Sequence, residues 1–493
     1  MTGAPNPTQN IDERVRESRQ EPHLTSSERR RAVTTSARLN SVNLEDSPLR
    51  KLVTMTAETQ TSTDWWMQGN YAPITEEVTY ESLPVVGKIP SALRGSYLRN
   101  GFNPPGAVPF HWFFGAGMVH GFDFADGCVA YRNRYVRTPY FEQDMDLMTA
   151  VGDLTFSPAN TNIVRHAGRL LALEEAHFPW EIGTDLSTLQ SHNFDGKLNS
   201  PMTAHPKICP KTGEMLFFGY QFFQQPYLTY HRVDARGTLV QSEVIDIPRP
   251  VMMHDFTITE NHAIFFDLPI VFDMDKGGFH FDRDAGARVG VMPRNGTNAT
   301  VRWFEVEACS VFHCLNSYER GDEIVIQVCR AKSLMDSGMN DLADQSVLWQ
   351  WTLDMVTGGV AETQLYNHAG DFPRIDDRRV GQPNRFGYIA GLRAAATPTF
   401  SASVFQYDLD ERTAIEHSFG GTETHVFEPV FAPAHATAAE NEGWILVLSH
   451  NDTTDVTTLN ILDAQHFAAA PVATIALPQR IPFGAHGNWM PAD

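Results

Sequence analysis

The sequence has 493 residues, with 38 lysines and arginines against 59 aspartates and glutamates, which gives a formal net charge of −21. Hydrophobic residues make up 42% of the chain and charged residues 20%, a composition that excludes collagen-like, coiled-coil and mostly disordered proteins. The acidity argues against a nucleic-acid partner, because such binding depends on lysine and arginine contacts with phosphates. A small-molecule partner is therefore expected.

The N-terminal segment, residues 1–64, differs in composition from the rest of the chain. It contains no Phe, Tyr or Trp, although aromatic residues make up 11% of the whole sequence, and it carries nine basic and nine acidic residues. A segment without large apolar side chains cannot offset the entropy lost on ordering. We therefore predict a disordered tail over 1–64 and a folded domain over 65–493.

Two features of the chain favour a cytoplasmic location. The first residues lack the apolar segment of a secretory signal. The five cysteines form no CxxC pair, which favours a reducing compartment over a disulfide framework.

From Trp65 onward, short apolar runs alternate with turn residues. Runs of about 4–8 residues rich in Phe, Val, Ile and Leu, flanked by Gly, Asn, Asp or Pro, are typical of β-strands. Examples in chain order are GRLLALEE, EMLFFGYQFF, HAIFFDLPIVF, DEIVIQVC, GWILVLSH and TTLNILD. Long amphipathic helical patterns are scarce, so the sequence predicts an all-β fold.

Three histidines stand at nearly the same distance ahead of an apolar run. His205, His254 and His313 precede MLFFGY, AIFF and IVIQV by ten, nine and eleven residues. If each histidine ends a strand and the run follows after a hairpin, the three occupy equivalent places in successive blades of a β-propeller and converge on its axis. Residues 65–493 would then divide into about seven blades of roughly sixty residues.

A fourth histidine, His486 in GAHGNWMP, lies 173 residues after His313. Separations of this size are too long for a local zinc finger but natural for ligands contributed by separate blades. A lone histidine near an apolar strand is more often part of the core, whereas matched offsets favour a shared metal site.

A series of motifs in one order carries a resemblance to the carotenoid cleavage oxygenase family, which includes lignostilbene-type dioxygenases and a retinoid isomerase. The resemblance runs from Tyr71 to Met490. The motifs are NYAPITEEV, GSYLRNGFNP, GMVHGF, YRNRYVRT, ANTN, TAHPKICPKTGE, MHDFTIT, FHCLN, DFPRID, EPVF and HGNW. The resemblance implies a seven-bladed β-propeller with loops and short helices capping the face that bears the iron. It also implies one Fe(II) per chain, held by His205, His254, His313 and His486.

The resemblance further implies three carboxylates that accept hydrogen bonds from ligand histidines, Glu175, Asp371 and Glu428. At Asp371 the sequence departs from the family's usual glutamate. Because aspartate is one methylene shorter, either the backbone moves inward, a water bridges the gap, or the histidine is less firmly held. Thr161, in ANTN, falls where related oxygenases place a small β-branched side chain beside the iron, and its methyl group would obstruct one open coordination position.

A second departure lies in the first blade. Relatives commonly read HWFDGDGM there, and this chain reads HWFFGAGM, so that Phe114 and Ala116 replace two acids. We expect an effect on the local loop or on the tunnel mouth rather than on the metal.

The implied reaction is the cleavage of a conjugated C=C bond by O2 at Fe(II), giving two carbonyl products without an external reductant. Carotenoids or apocarotenoids are the expected substrates, because 31 Phe, 16 Met and nine Trp can line a long apolar tunnel. Hydroxystilbenes and phenylpropenes are the alternative. In relatives that cleave stilbenes, a Tyr and a Lys bind the phenol. Here Tyr140 is the candidate for the Tyr, and Glu174 stands in place of the Lys, which argues against binding a phenolate.

Other readings of a propeller stay open at this point. A lactonase-like hydrolase would bind Ca²⁺ through oxygen ligands, and a binding scaffold would need no metal. The isomerase branch of the family shares the iron site, so only its products distinguish it. Peripheral membrane contact for uptake of a hydrophobic substrate is also open.

Overall fold

A computed structural model describes residues 64–492, apart from 107–108, 110, 144–151, 339–340, 343 and 395–398. The predicted tail over 1–64 lies outside the described residues except for Asp64. No helix within the described ranges is long and apolar enough to cross a membrane.

The described chain folds into seven antiparallel sheets and one separate hairpin. The sheets are the blades of a β-propeller, so the predicted all-β, seven-bladed architecture is confirmed.

Blades 1 to 3 are built mainly from the first thirteen strands. These are β1 (Thr79–Tyr80), β2 (Val86–Gly87), β3 (Gly95–Arg99), β4 (Met118–Ala125), β5 (Cys128–Tyr135), β6 (Asn162–His166), β7 (Arg169–Leu173), β8 (Trp180–Ile182), β9 (Thr188–Ser191), β10 (Lys207–Ile208), β11 (Met215–Tyr220), β12 (Leu228–Val233) and β13 (Leu239–Ile245). Blade 1 contains β1, β5, β4 and β3, blade 2 contains β6–β9, and blade 3 contains β10–β13.

Blades 4 and 5 and a hairpin follow. Their strands are β14 (Thr257–Ile258), β15 (His262–Asp267), β16 (Ile270–Asp273), β17 (Gly278–Phe281), β18 (Arg288–Pro293), β19 (Arg302–Glu305), β20 (Ser310–Arg320), β21 (Glu323–Ala331), β22 (Val347–Asp354) and β23 (Val360–Gln364). Blade 4 contains β14, β15, β18 and β19, and blade 5 contains β20–β23. The pair β16 and β17 forms the separate hairpin, inserted within blade 4.

Blades 6 and 7 complete the ring. Their strands, and the last strand of the chain, are β24 (Gly370–Arg374), β25 (Phe386–Leu392), β26 (Phe400–Asp408), β27 (Thr413–Ser418), β28 (Thr424–Val426), β29 (Val430–Pro433), β30 (Gly443–Asn451), β31 (Val456–Asp463), β32 (Ala473–Ala476) and β33 (Gly487–Pro491). Blade 6 contains β24–β27 and blade 7 contains β28–β32. Strands from the two ends of the chain close the ring, because β33 pairs with β3 in blade 1 and β2 pairs with β32 in blade 7.

Helical structure among the described residues is limited to one short α-helix and single turns of 3-10 helix. The α-helix, α1, spans Pro139–Gln143. The 3-10 turns are Trp65–Met67, Gly69–Tyr71, Trp112–Phe114, Met274–Lys276, Arg283–Ala285, Asn298–Thr300, Asp377–Arg379 and Ala464–His466.

The burial of the middle strands of the blades explains the apolar runs in the sequence. All six residues of β11, MLFFGY, are buried, because this strand is covered on both faces by neighbouring blades. The outer strand β13 instead alternates between exposed and half-buried residues along most of its length.

The position of the histidines within the blades differs from the sequence prediction. Each apolar run is the second strand of its blade, namely β11, β15 and β21, and the histidine lies near the start of the first strand rather than at a strand end. These first strands contact one another from blade to blade, as β14 and β24 do with β20. The predicted equivalence of the three positions holds because blades 3, 4 and 5 each begin with their innermost strand, β10, β14 and β20.

Candidate metal centre

Four histidines meet at the propeller axis. His205, His254, His313 and His486 each place one ring nitrogen within 4.8 Å of the others. Nε2 of His254 lies 3.0 Å from Nε2 of His205 and 3.3 Å from Nε2 of His313. Four buried or half-buried imidazole nitrogens that face one point form a donor set that could hold a transition-metal ion. The structure thus brings together all four predicted ligands.

Three of these rings are oriented by carboxylates. The pairs are His254 Nδ1 with Glu175 Oε2 at 2.9 Å, His313 Nδ1 with Asp371 Oδ1 at 2.7 Å, and His486 Nδ1 with Glu428 Oε1 at 2.9 Å. A ring that donates from Nδ1 keeps its Nε2 lone pair for a metal. All three carboxylates therefore lie where the sequence placed them. Within the described residues, no carboxylate is hydrogen-bonded to the His205 ring.

The pKa values of the ligand histidines are shifted in different directions by their surroundings. Burial first, and then the neighbouring imidazoles, lower the pKa of His205, and burial lowers the pKa of His486 to about 4. Burial also acts to lower the pKa of His254, but the Glu175 carboxylate outweighs it and the net pKa is raised. A metal here would bind the neutral form of each ring, so metal binding would compete with protonation of His254.

Glu428 is held as an anion by its surroundings. Burial acts to raise its pKa, but His486 and then Arg374 lower it to about 2. Its Oε2 also accepts the backbone N–H of Gly487 at 2.7 Å. The carboxylate is therefore ionised at neutral pH and fixed at both oxygens.

The shorter aspartate reaches its histidine directly. The register of β24 against β25 shifts after Asp371, and Phe372 adopts a left-handed φ of 55°. At Gly370, a Cβ atom would lie 2.6 Å from a side chain of β25, so only glycine permits this close approach. The direct 2.7 Å contact shows that Asp371 holds the His313 ring without a bridging water.

This geometry makes a prediction about Asp371. We expect Asp371→Ala to weaken metal affinity by about 10–100-fold, because the His313 ring loses its hydrogen-bond acceptor. Asp371→Glu should stay within a few-fold of the native protein, since a carboxylate remains. Dissociation constants measured by metal titration of the purified variants check this expectation, and equal affinities for the two variants would contradict it.

Thr161 lies beside the histidine centre, and its motif supports the first-blade loop. The Thr161 carbonyl accepts the backbone N–H of His486 at 3.0 Å, and its hydroxyl donates to Asn160 Oδ1 at 2.9 Å. The amide of Asn160 in turn donates to the carbonyls of Phe113 and Gly115 at 2.7 and 2.6 Å. Sequence reasoning missed Asn160, although its place in ANTN was the available signal. The effect of the Thr161 methyl on coordination stays a prediction.

An apolar cavity opens onto the centre. Its described lining encloses about 130 Å³ and includes Thr161, Glu174, Glu175 and three of the histidines. The apolar part of the lining consists of Phe102, Trp112, Phe113, Phe312, Leu334, Leu342, Phe372, Leu392 and Phe400. These side chains come from segments spread over 300 residues, so the sequence predicted their abundance but not their identity.

Glu174 lies on this cavity next to Glu175, as expected, and has a partner that the sequence did not reveal. Its Oε2 accepts hydrogen bonds from His177 Nδ1 at 2.7 Å and from the backbone N–H of Ala176 at 2.9 Å. The Glu174 side chain is only 12% exposed, so this pairing offsets much of the cost of burying the carboxylate.

Tyr140 does not join the cavity. It lies on α1, packs its ring 5.5 Å from that of Phe156, and donates its hydroxyl to the carbonyl of Phe114. It also packs against a small cluster that contains Ala116, one of the two positions where an acid is missing from the family motif. The predicted substrate contact of Tyr140 stays a prediction.

A second, more polar cavity of about 400 Å³ reaches the same centre. It is lined by His205, His313 and His486, and by the ion pair of Lys207 with Asp255, whose charged atoms lie 2.7 Å apart. Because its walls carry charges, a hydrophobic molecule is expected in the first cavity rather than here.

Comparison with known proteins found a matching family model, similar sequences and a similar crystal structure. A family model described as "Retinal pigment epithelial membrane protein" matches residues 71–491. The chain is 33% identical to a carotenoid 9,10(9',10')-cleavage dioxygenase of Crocus sativus, with 86% of this chain and 89% of that protein covered. It is 31% identical to an isoeugenol monooxygenase of Pseudomonas putida, with 86% and 97% covered. The crystal structure of a Pseudomonas brassicacearum lignostilbene dioxygenase superposes with a TM-score of 0.79 at 26% identity, covering 88% of this chain and all of that one.

Proposed function

The chain belongs to the carotenoid cleavage oxygenase family, and we propose that it uses one Fe(II) and O2 to cleave a conjugated C=C bond of a carotenoid or apocarotenoid into two carbonyl products. Its similarity to carotenoid cleavage, isoeugenol and lignostilbene oxygenases identifies the protein as an oxidoreductase of the dioxygenase type. The observation that carries the proposal is the four-histidine centre, with three carboxylate-paired rings, at the wall of an apolar cavity.

Iron fits the donor set. Four neutral imidazole ligands would not compensate the double positive charge of Fe(II). They would leave two positions of a six-coordinate ion open. Calcium would require oxygen ligands, which disfavours the lactonase reading. When bound, the iron would supply the site at which O2 and the alkene react, both oxygen atoms ending in the products. The four histidines would hold it, and one centre implies one ion per chain.

The protein's own residues have two tasks in this proposal. Glu175, Asp371 and Glu428 fix the tautomer of three ligand rings, so that the lone pairs stay on the axis. The aromatic walls, such as Phe113 and Phe372, exclude water and hold the alkene near the centre. Neither task requires a protein group to exchange a proton with the substrate.

Two observations support a second substrate class as the alternative. The described cavity encloses about 130 Å³, which is room for an alkene and its nearest substituents rather than for a whole carotenoid. Relatives that the chain resembles include an isoeugenol monooxygenase and a lignostilbene dioxygenase. Cleavage of a hydroxystilbene or phenylpropene to aromatic aldehydes is therefore the alternative.

We also propose a cytoplasmic protein that touches a membrane to collect its substrate. All five cysteines are free and four are buried, which suits a reducing compartment.

The membrane contact is proposed at an aromatic cluster around the β16–β17 hairpin. Phe223 is 48% exposed and joins this cluster with Phe222, Phe272 and Phe279. Of these four rings Phe223 is exposed, Phe222 and Phe272 are half-buried and Phe279 is buried, and we propose the exposed ring as the point of contact with lipid.

Metal analysis combined with product analysis tests the proposal. We expect about one iron per purified chain and, with a panel of apocarotenoids and hydroxystilbenes, one O2 consumed per alkene cleaved, measured with an oxygen electrode and product mass. Calcium in place of iron, or turnover without oxygen uptake, would contradict it. An isomerised but intact product would instead place the protein in the isomerase branch.

A further inference from the structure

We propose that Ser346 is a positioning residue of the metal centre, which fixes His313 by holding Asp371. The inference rests on the proposed function, since it concerns a ligand of the same metal. Ser346 precedes β22, is 3% exposed, and places its Oγ 2.8 Å from Asp371 Oδ2 and 2.9 Å from the Gly370 carbonyl. A hydroxyl has one proton to donate, and a carboxylate is the stronger acceptor.

The hydroxyl completes the hydrogen bonding of a buried carboxylate. Asp371 is 8% exposed, and its Oδ1 already accepts His313 Nδ1 and the backbone N–H of Phe372, each at 2.7 Å. Ser346 is the donor to Oδ2 within the described residues. With hydrogen-bond donors on both oxygens, the Asp371 carboxylate cannot rotate about its Cβ–Cγ bond. The direction of the hydrogen bond that it accepts from the His313 ring is therefore fixed.

Glu428 shows how the same task is done elsewhere in the centre. Its Oε1 accepts His486, and the backbone N–H of Gly487 donates to its Oε2 at 2.7 Å. A backbone donor cannot be removed by a simple substitution. At Asp371 the corresponding donor is a side chain, so its contribution can be measured separately.

The backbone around Ser346 should survive loss of the hydroxyl. The Ser346 carbonyl accepts the N–H of Gly370 at 2.9 Å, and this link between β24 and the start of β22 does not involve the side chain. Ser346→Ala is therefore expected to change the freedom of Asp371 rather than the path of either strand.

The test is a Co(II) titration of the purified full chain, stripped of metal, followed through the ligand-field absorption bands. Ser346→Ala should raise the dissociation constant for Co(II) by about tenfold and shift the bands, by analogy with other partners of ligand histidines. Ser346→Thr keeps the hydroxyl and should restore both. The matched control is Ser317→Ala, which removes a buried hydroxyl from β20, the strand of His313, that donates to the Ile258 carbonyl at 2.8 Å.

A double substitution shows whether Ser346 acts through Asp371. In the Asp371→Ala background, Ser346→Ala should cause no further loss of affinity, because the linking carboxylate is gone. Native-like Co(II) affinity in Ser346→Ala, additive losses in the double variant, or an equal loss in Ser317→Ala would each overturn the role of Ser346 and leave the metal centre standing. A native chain that binds no Co(II) would overturn the proposed function itself.

Discussion

Replacing His254 or His313 by alanine is expected to remove most of the bound iron and to abolish alkene cleavage while the propeller stays folded. Each ring supplies one of the four nitrogens that meet at the axis. A site with three nitrogens holds an ion poorly, and the carboxylate behind the gap, Glu175 or Asp371, then no longer has a ring to orient. Because a catalytic metal contributes several kcal/mol to the transition state, the loss of rate should be about a thousandfold or more.

Iron per chain, measured by elemental analysis beside the melting temperature, checks this prediction. His231→Ala is the matched control, since His231 is a fully buried histidine of blade 3 that is bonded to Ser200 and Ser242 rather than facing the axis. The control should keep its iron even where it loses stability. Full iron content in both the His254 and the His313 variant would refute the assignment of the centre.

Three of the histidines could be grouped from the sequence itself by their spacing, whereas the family resemblance supplied the full ligand set with His486 and the three carboxylates. His205, His254 and His313 precede the middle strand of a blade by a near-constant offset, and a ring of equivalent blades turns that offset into convergence in space. The offset did not show on which strand each histidine lies. A run of buried apolar residues identifies a middle strand such as β11, whereas a two-residue strand such as β10 leaves no pattern in the sequence.

The contacts that tune the centre could not be read from the sequence, because they join segments with no shared pattern. Ser346 meets Asp371 only because β22 and β24 come together near the axis, and Asn160 meets the carbonyl of Phe113 across two blades. The surroundings of Tyr140 were likewise not accessible from the sequence. Its motif position predicted a substrate contact, and the structure shows that it also packs against an apolar cluster that contains Ala116.

Substrate choice is expected to depend on Glu174, and we predict that Glu174→Lys raises the kcat/KM for a hydroxystilbene relative to that for an apocarotenoid. In the native protein a carboxylate lines the cavity beside Glu175, and it would repel a phenolate. A cation at this position would supply a charge-assisted hydrogen bond worth roughly 1.5–3 kcal/mol, or about one to two powers of ten in the ratio.

The control for that change is Glu174→Gln, which removes the negative charge, keeps the shape and adds no cation. His177 Nδ1 pairs with Glu174 Oε2 at 2.7 Å. The amide oxygen of Glu174→Gln can still accept this hydrogen bond, whereas Glu174→Lys removes the acceptor, so the two variants are compared only when both retain the iron content of the native protein. The ratio should therefore rise modestly in Glu174→Gln and strongly in Glu174→Lys, at equal iron content. If the native protein already prefers hydroxystilbenes and Glu174→Lys abolishes that preference, the carboxylate is itself the acceptor for the phenol, and the order of the two substrate classes is reversed.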